Sequence, residues 1–409
     1  MNKKTIESVD VKDKRVLMRA DFNVPLDDDL KITDDRRIQS AMPTIRKILD
    51  GGGRLILMSH LGRPKNKPED KYSLAPVAKR LGEILGKNVP LAPDCVGDAA
   101  GALSEGVKSG ECLLLENLRF HSAETIKDKE AKQDAEKRAV KDEFACSLAD
   151  MADVYVNDAF GTCHRDNASM LTVPKMMKGK PKVIGYLVQK ELEFLGSSLA
   201  DPKRPFVAVL GGAKVSDKIG VIDALLPKCD HVLIGGAMMY TFFAAQGIPT
   251  GKSLVEPDFI EQAKRLMEIG GDKLVLPTDS VVAAEISGEA EHQTVTGNIP
   301  DDLMGLDIGP ASIAAFANVI KGAKTVIWNG PMGVFETPPF DRGTMAIAQA
   351  MADATANGAI TIIGGGDSAA AIDHAGLAEK MSHISTGGGA SLEFLEGKPF
   401  VALEVIDDA

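Results

Sequence analysis

The sequence predicts an α/β protein of two domains with mainly parallel sheets, and three observations carry that prediction. Short apolar runs are each followed by a polar or glycine cluster and then by a helical period, the alternation of a parallel sheet with crossover helices. The runs are too numerous for one ordinary sheet. An amphipathic stripe and a proline-containing break then separate them into halves.

In the first half the runs are 15–19 (RVLMR), 55–58 (LILM), 112–115 (CLLL) and 154–156 (VYV). In the second they are 206–210 (FVAVL), 231–234 (HVLI), 273–276 (KLVL), 325–328 (TVIW) and 359–363 (AITII). Between them Ile184, Leu187, Val188, Leu192, Leu195 and Leu199 fall on one helical stripe. Pro202 and Pro205 in ADPKRP end it, because proline cannot continue a helix. The expected division is therefore a domain over 1–183, a connector helix over 184–200 and a second domain over 201–390.

Composition narrows the function classes. The 409 residues suit two or three domains, with 44% hydrophobic and 26% charged residues as in ordinary globular chains. A net charge of −11 excludes a generally basic nucleic-acid-binding surface. No apolar run reaches the roughly 20 residues that span a bilayer, so no membrane association is expected. The start MNKKTIESVD has lysines without an apolar stretch and does not read as a signal peptide. The 5 cysteines (Cys95, Cys112, Cys146, Cys163, Cys229) form no C-x-x-C, so they read as buried small hydrophobes in a reducing cytoplasm. The charged stretch 122–143 reads as a solvated helix that packs further on through Phe144, Leu148 and Met151.

Ligands of open α/β sheets sit at the carboxyl ends of strands. In the first half those ends are polar and basic: ADFNVP from Ala20, SHLGRP from Ser59, ENLRF from Glu116, and NDAF leading to GTCHR from Asn157. A parallel sheet would gather Arg37, Arg63, Arg119, Arg165, His60 and His164 on one rim. Guanidinium forks match phosphate and carboxylate oxygens, so the pattern points to a small, multiply negative ligand.

In the second half the strand ends are glycine-rich: GGAKVSDK from Gly211, GGA from Gly235, NGPMG from Asn329 and GGGDS from Gly364. Glycine lets backbone N–H groups approach phosphate oxygens, and a helix N-terminus adds partial positive charge. Lys214 and Lys218, four apart, are expected on the first helical turns, facing one way toward a transferred phosphoryl group. Asp367 would repel a polyphosphate unless a cation bridged them, which implies Mg²⁺. Two motifs are rejected. GIPTGKS (247–253) has one residue too few between its glycines for a P-loop and follows a helical stretch, so Lys252 reads as peripheral. Residues 364–369 fit G-x-G-x-x-A, but Asp367 opposes an unaccompanied pyrophosphate and no strand-end acid follows about 20 residues on. That disfavours an NAD-dependent oxidoreductase. A non-catalytic anion-binding protein is the other reading.

Together, RVLMRADFNVP, SHLGRP, LENLRF, VNDAFGTCHR, LGGAKVSDKI, GKSL, WNGPMGVFE, GGGDSAAAI and STGGGASLEFLEG resemble the phosphoglycerate kinase family, in order and over almost the whole chain. The resemblance implies two Rossmann-like three-layer domains facing across a cleft, with a final segment, 391–409, returning to the first. It implies a monomer that moves a phosphoryl group between 1,3-bisphosphoglycerate and ADP, giving 3-phosphoglycerate and MgATP. Asp21 and Asn23 would bind the glycerate. The loop His60, Leu61, Gly62 and Arg63, with Arg119 and Arg165, would hold its phosphate. Arg37, which precedes Ile38, matches the catalytic arginine, with Arg36 as its neighbour. Lys214, Lys218 and the helix start at Gly366 would act on the transferred group. Glu336 matches the acid that binds the ribose, and Gly365, Gly366, Asp367 and Ser368 match the phosphate and metal loop.

Overall fold

The computed structural model describes residues 2–409. The chain folds into two compact units: the stretch ending at Glu193 together with Pro399–Ala409, and Phe194–Lys398.

The first unit is built on β1 (Arg15–Ala20), β2 (Arg54–Met58), β3 (Cys112–Leu114), β4 (Val154–Asp158) and β5 (Lys182–Ile184), all parallel, in the order β3-β2-β1-β4-β5. Their side chains are buried almost without a break, as expected of strands covered on both faces. The connection direction reverses between β1 and β4, so the crevice outside their carboxyl ends is where a ligand is expected.

β5 and the connector depart from the expected helix over 184–200. Ile184 pairs with Asn157 as the last residue of β5. Helix starts only at Tyr186, runs to Glu191, widens into a π-turn over Leu192–Gly196 and resumes over Ser197–Ala200. Asp158 is the cause of the late start. Its Oδ1 accepts from the backbone N–H of Leu187 (3.0 Å) and Val188 (3.3 Å), capping the helix there. Gly185 fits only because it lacks a Cβ, which would lie 2.3 Å from that carboxylate.

The second unit contains β6 (Phe206–Leu210), β7 (His231–Ile234), β8 (Leu274–Val275), β9 (Asp279–Ala283), β10 (His292–Thr296), β11 (Met304–Ile308), β12 (Thr325–Asn329), β13 (Ile360–Gly364) and β14 (His383–Ile384). Six form a parallel sheet in the order β14-β13-β12-β6-β7-β8. The remaining three form an antiparallel sheet, β10-β9-β11, which the apolar runs did not announce. Its edge strand HQTVT is mostly exposed and carries almost no apolar signal.

The segment 391–398, expected in the returning piece, belongs to the second unit. The helix Gly389–Leu395 buries Ala390, Ser391 and Leu395 and packs against the helix Ile219–Leu225. From Pro399 the chain is part of the first unit, where Phe400 meets Phe160 with ring centroids 5.6 Å apart. Cys95, Cys112, Cys163 and Cys229 are buried, but Cys146 is exposed on the helix Ala135–Ala149. On that same helix Lys141, read as solvated, is fully buried. Its ammonium donates to the carbonyls of Ile126 and Asp166 (both 2.8 Å) and to Asp128 (3.0 Å).

Candidate active site: two anion-binding surfaces

In the first unit the site begins inside β1. Arg19 is fully buried there, which a cation tolerates only when its donors are satisfied. Its Nε donates to Ser169 Oγ (3.0 Å), one Nη to the Ala20 carbonyl, and the other lies 3.2 Å from His60 Nδ1 and 3.8 Å from Glu124. Glu124 is held in turn by Ser169 N (2.8 Å) and Ser169 Oγ (2.7 Å). Arg19 was read only as a strand residue. The overlooked signal is a second arginine, Arg19, near the carboxyl end of a buried central strand.

Immediately beyond β1, Asp21 pairs with Arg37 at 2.6 Å. Arg36 and Arg37 open the helix Arg36–Asp50, where cations oppose the helix dipole, so each needs a local acid. Arg36 finds half-buried Asp34, with Nε 2.8 Å away, whereas Arg37 turns to Asp21. Burial works to raise the Asp21 pKa, but the guanidiniums of Arg37 and Arg19 work against it, and the carboxyl is held below its ordinary range. Asn23 Oδ1 accepts from Gly62 N at 2.7 Å, tying this loop to the one after β2. Gly62 needs to be glycine: its φ is +62° and a Cβ would lie 2.4 Å from the Tyr72 ring.

Asn117 fastens the third loop. Its Nδ2 donates to the Leu61 (2.8 Å) and Tyr72 (2.9 Å) carbonyls, and its Oδ1 accepts from Arg119 N (3.0 Å). Arg119 is only 8% exposed, donates from Nη1 to the Gly62 carbonyl at 2.7 Å, and keeps a buried Nε with no partner. Burial, then Arg165 and Arg19, push its pKa down to about 10. From the loop after β4, Arg165 Nε donates to His164 Nε2 at 3.2 Å. Burial and Arg165 push His164 down to about 4, and its buried Nδ1 is unpartnered. Asp21, Asn23, Arg37, His60, Leu61, Gly62, Arg119 and Arg165 are thus joined by bonds or by mutual charge effects. Arg63 lies in the same loop with its side chain exposed.

In the second unit a cavity of about 540 Å³ lies beyond β6, β12 and β13. Lys214 and Lys218 both line it, but not from the first turns of a helix. That helix begins at Ile219, so Lys214 is exposed on a loop while Lys218 occupies the N-cap position and is 9% exposed. Burial lowers the Lys218 pKa, opposed by Asp217 and Asp367. Its ammonium donates to Asn329 Oδ1, and the buried Asn329 Nδ2 has no partner. Asn329 ends β12; the sequence marks it only as the start of a glycine-rich strand end, with no role of its own.

The glycines divide into two jobs. A Cβ on Gly236 would lie 2.4 Å from Gly212 N, and one on Gly330 would lie 2.2 Å from the Gly211 carbonyl, so these let the loops after β6, β7 and β12 stack backbone on backbone. Gly235 and Gly236 do not line the cavity; Gly212, Gly330, Gly365, Gly366, Gly388 and Gly389 do. The helix Gly366–His374 opens into it from Gly365, whose φ of +89° only glycine adopts freely. Its free N–H groups give that end the partial positive charge that suits an anion. Buried Ser368 accepts from Gly330 N at 2.7 Å, and the only tryptophan, Trp328, donates to the Gly330 carbonyl at 2.7 Å. Gly388 and Gly389, quoted only within a longer string, open a second helix onto the cavity. Glu336 is exposed and does not line it. Lys252 is exposed, and its N–H donates to the Leu303 carbonyl at 2.7 Å, a structural link.

The donor set fits Mg²⁺. This ion typically takes one or two carboxylates and draws other ligands from phosphates and water, and Asp367 lines the cavity beside the helix N-terminus. Among the described residues the cluster of three possible metal ligands within reach of one another is Asp94, Cys95 and His121, which does not include Asp367. No described helix is long and apolar enough to cross a membrane.

Comparison with known proteins agrees with this geometry. A curated phosphoglycerate kinase of Rhodopirellula baltica is 57% identical over 413 aligned residues, covering 100% of both chains. One of Chlorobium phaeobacteroides is 53% identical, again over 100% of both. The structure of phosphoglycerate kinase from Coxiella burnetii superposes with a TM-score of 0.85 at 39% identity, covering 98% of each chain. The family model described as phosphoglycerate kinase matches residues 6–398. Two parallel sheets, one with arginines and the other with glycine loops and lysines beyond its strand ends, and this agreement along the full sequence place the chain in the phosphoglycerate kinase family, with that family's glycolytic kinase activity.

Proposed function

We propose that the first unit binds 3-phosphoglycerate or 1,3-bisphosphoglycerate and the second binds ADP or ATP, and that the reaction passes one phosphoryl group between them. The observation that carries this division is a buried, unpartnered donor in each site, Arg119 Nε in one and Asn329 Nδ2 in the other. Such donors cost stability unless a ligand takes them up.

Asp21 and Asn23 position the glycerate. The loop 60–63, Arg119 and Arg165 hold its phosphate, with Arg63 reaching in from the surface. Arg37, oriented by Asp21, Lys218 and Lys214 stabilise the equatorial oxygens of the transferred group. The N–H groups at Gly366, with Gly365 and Ser368, receive nucleotide phosphate, and Glu336 binds the ribose. Mg²⁺ on Asp367 would neutralise phosphate charge there when bound.

In the ATP-consuming direction the nucleophile is the glycerate carboxylate, already ionised at neutral pH. It attacks the γ-phosphorus and ADP departs, so no general base is needed. Transfer then depends on positioning and on charge stabilisation of a loose transition state. Both ligands must meet away from water, which would hydrolyse the acyl phosphate, so the units close on binding with the segment near 184–199 as hinge. Scattering with both ligands saturating should show a smaller radius of gyration; an unchanged radius counts against closure. The protein is read as a cytoplasmic monomer, in keeping with its free cysteines.

The test is an assay with 3-phosphoglycerate, ATP and Mg²⁺ and downstream trapping of the acyl phosphate. ADP release dependent on 3-phosphoglycerate is expected. Binding without turnover would favour the anion-binding reading.

A further inference from the structure

We infer that His60 works as a neutral imidazole, with Nδ1 occupied by the buried guanidinium of Arg19 and its one proton held on Nε2 for the bound anion. The inference rests on reading the first unit as an anion site. It adds what a histidine contributes among arginines: a fixed donor in place of a further, titratable cation.

The argument starts with the donor inventory. A guanidinium has five N–H donors and no acceptor, and it does not lose its proton in proteins. Arg19 Nη2 lies 3.2 Å from His60 Nδ1. At that contact Nδ1 can only accept, so it carries no proton. A neutral imidazole has one N–H, which must then be on Nε2. Arg19 cannot turn away readily: it is fully buried, its Nε donates to Ser169 Oγ at 3.0 Å, and Glu124 lies 3.8 Å behind it. Arg19 is thus a positioning residue that sets the tautomer.

The surrounding charges point the same way. Arg19 on β1, Arg119 on the turn after β3 and Arg165 beyond β4 all disfavour an imidazolium. Asp21 favours one, but Arg37 already pairs with it at 2.6 Å. Burial, the largest cause, opposes the charged form as well: His60 is 3% exposed. None of the described residues takes a hydrogen bond from Nε2, which leaves that proton for a ligand oxygen.

The test is a pH series of long-range ¹⁵N–¹H spectra of the ¹⁵N-histidine-labelled full chain, from about pH 5.5 to about 8, where an ordinary histidine titrates. His60→Gln identifies the signals. The expected result is a single neutral Nε2–H tautomer for His60 that does not titrate in this range. A proton on Nδ1, or conversion to imidazolium within it, overturns the inference. In Arg19→Met the His60 signals should begin to titrate in the same window; a folded variant with unchanged signals overturns the role of Arg19. Should that variant not fold, the wild-type spectra decide alone. A second readout is the ratio of Kd for 3-phosphoglycerate between His60→Gln and the parent, in which ligand ionisation cancels. It should stay constant with pH. A ratio climbing toward tenfold per pH unit on acidification shows that an imidazolium binds. Spectra unmoved by saturating 3-phosphoglycerate would refute the ligand reading of this site and leave the tautomer standing.

Discussion

In the first unit the expected anion meets side chains. Arg19, Arg37, Arg119 and Arg165 bring fixed charge into a protein of net charge −11, and acids behind them hold some of those forks in place. In the second unit it meets backbone: glycine loops stacked on one another, two helix starts, and a lysine at an N-cap. Side-chain forks select shape and charge. Backbone N–H groups accept any phosphate that fits and leave nothing to delete by truncation. The difference teaches where mutation should bite: arginine by arginine in one unit, and at few side chains in the other.

Lys218→Ala is the strongest challenge to that contrast, because it removes the buried side-chain cation from the backbone-built site. We expect kcat to fall roughly 10²–10³-fold, the cost of one preorganised donor, with the melting curve little changed. Full activity in the folded variant would leave that site to backbone alone. Next, Arg37→Ala should lower kcat by about 10² while Arg36→Ala stays within about twofold, since Arg36 is exposed and pairs with Asp34 beside it in the chain, whereas Arg37 pairs with Asp21 of the site. Equal losses would erase the distinction drawn from their partners. Arg119→Met should raise the Kd for 3-phosphoglycerate by about 30-fold or more. Its Tm without ligand should hold or rise, since a buried guanidinium with an orphaned Nε is removed. A large fall in Tm would mean that its charge is already compensated.

The smallest effect concerns two buried acids, one in each unit. Burial pushes Asp158 and Asp307 up to about 7 from an ordinary 3.8. Between those values the folded chain holds a proton that the unfolded chain has released. Stability therefore falls as pH rises through that window, by at most about 1.4 kcal/mol per unit for each group. Asp158→Asn and Asp307→Asn should flatten this loss, so that each variant gains Tm over the parent at pH 8 relative to pH 5. Parallel curves for parent and variants would show that neither acid is protonated in the fold.

Most of this architecture was legible because a buried parallel strand writes itself as an apolar run, and because ligands gather where such runs end. The exceptions have physical causes. β5 is three residues long, and Ile184 joined the helical stripe because the pattern cannot show Asp158 capping the helix two residues later. The antiparallel sheet was invisible because β10 faces solvent. Arg19 was hidden because an arginine within an apolar run does not reveal whether it ends the strand or lies beneath a site. The four-residue spacing of Lys214 and Lys218 suggested a helix, yet the loop brings both to the cavity without one. Gly388 and Gly389 went unremarked as site residues because they precede a segment assigned to the other unit.

The central claim is the division of labour, one ligand to each unit. Calorimetric titration of two variants, Arg119→Met and Asp367→Asn, with 3-phosphoglycerate and with MgATP tests it most directly. The account predicts that Arg119→Met loses affinity for 3-phosphoglycerate and keeps that for MgATP, and that Asp367→Asn does the reverse. Loss of MgATP binding in the arginine variant, or of 3-phosphoglycerate binding in the aspartate variant, would contradict it.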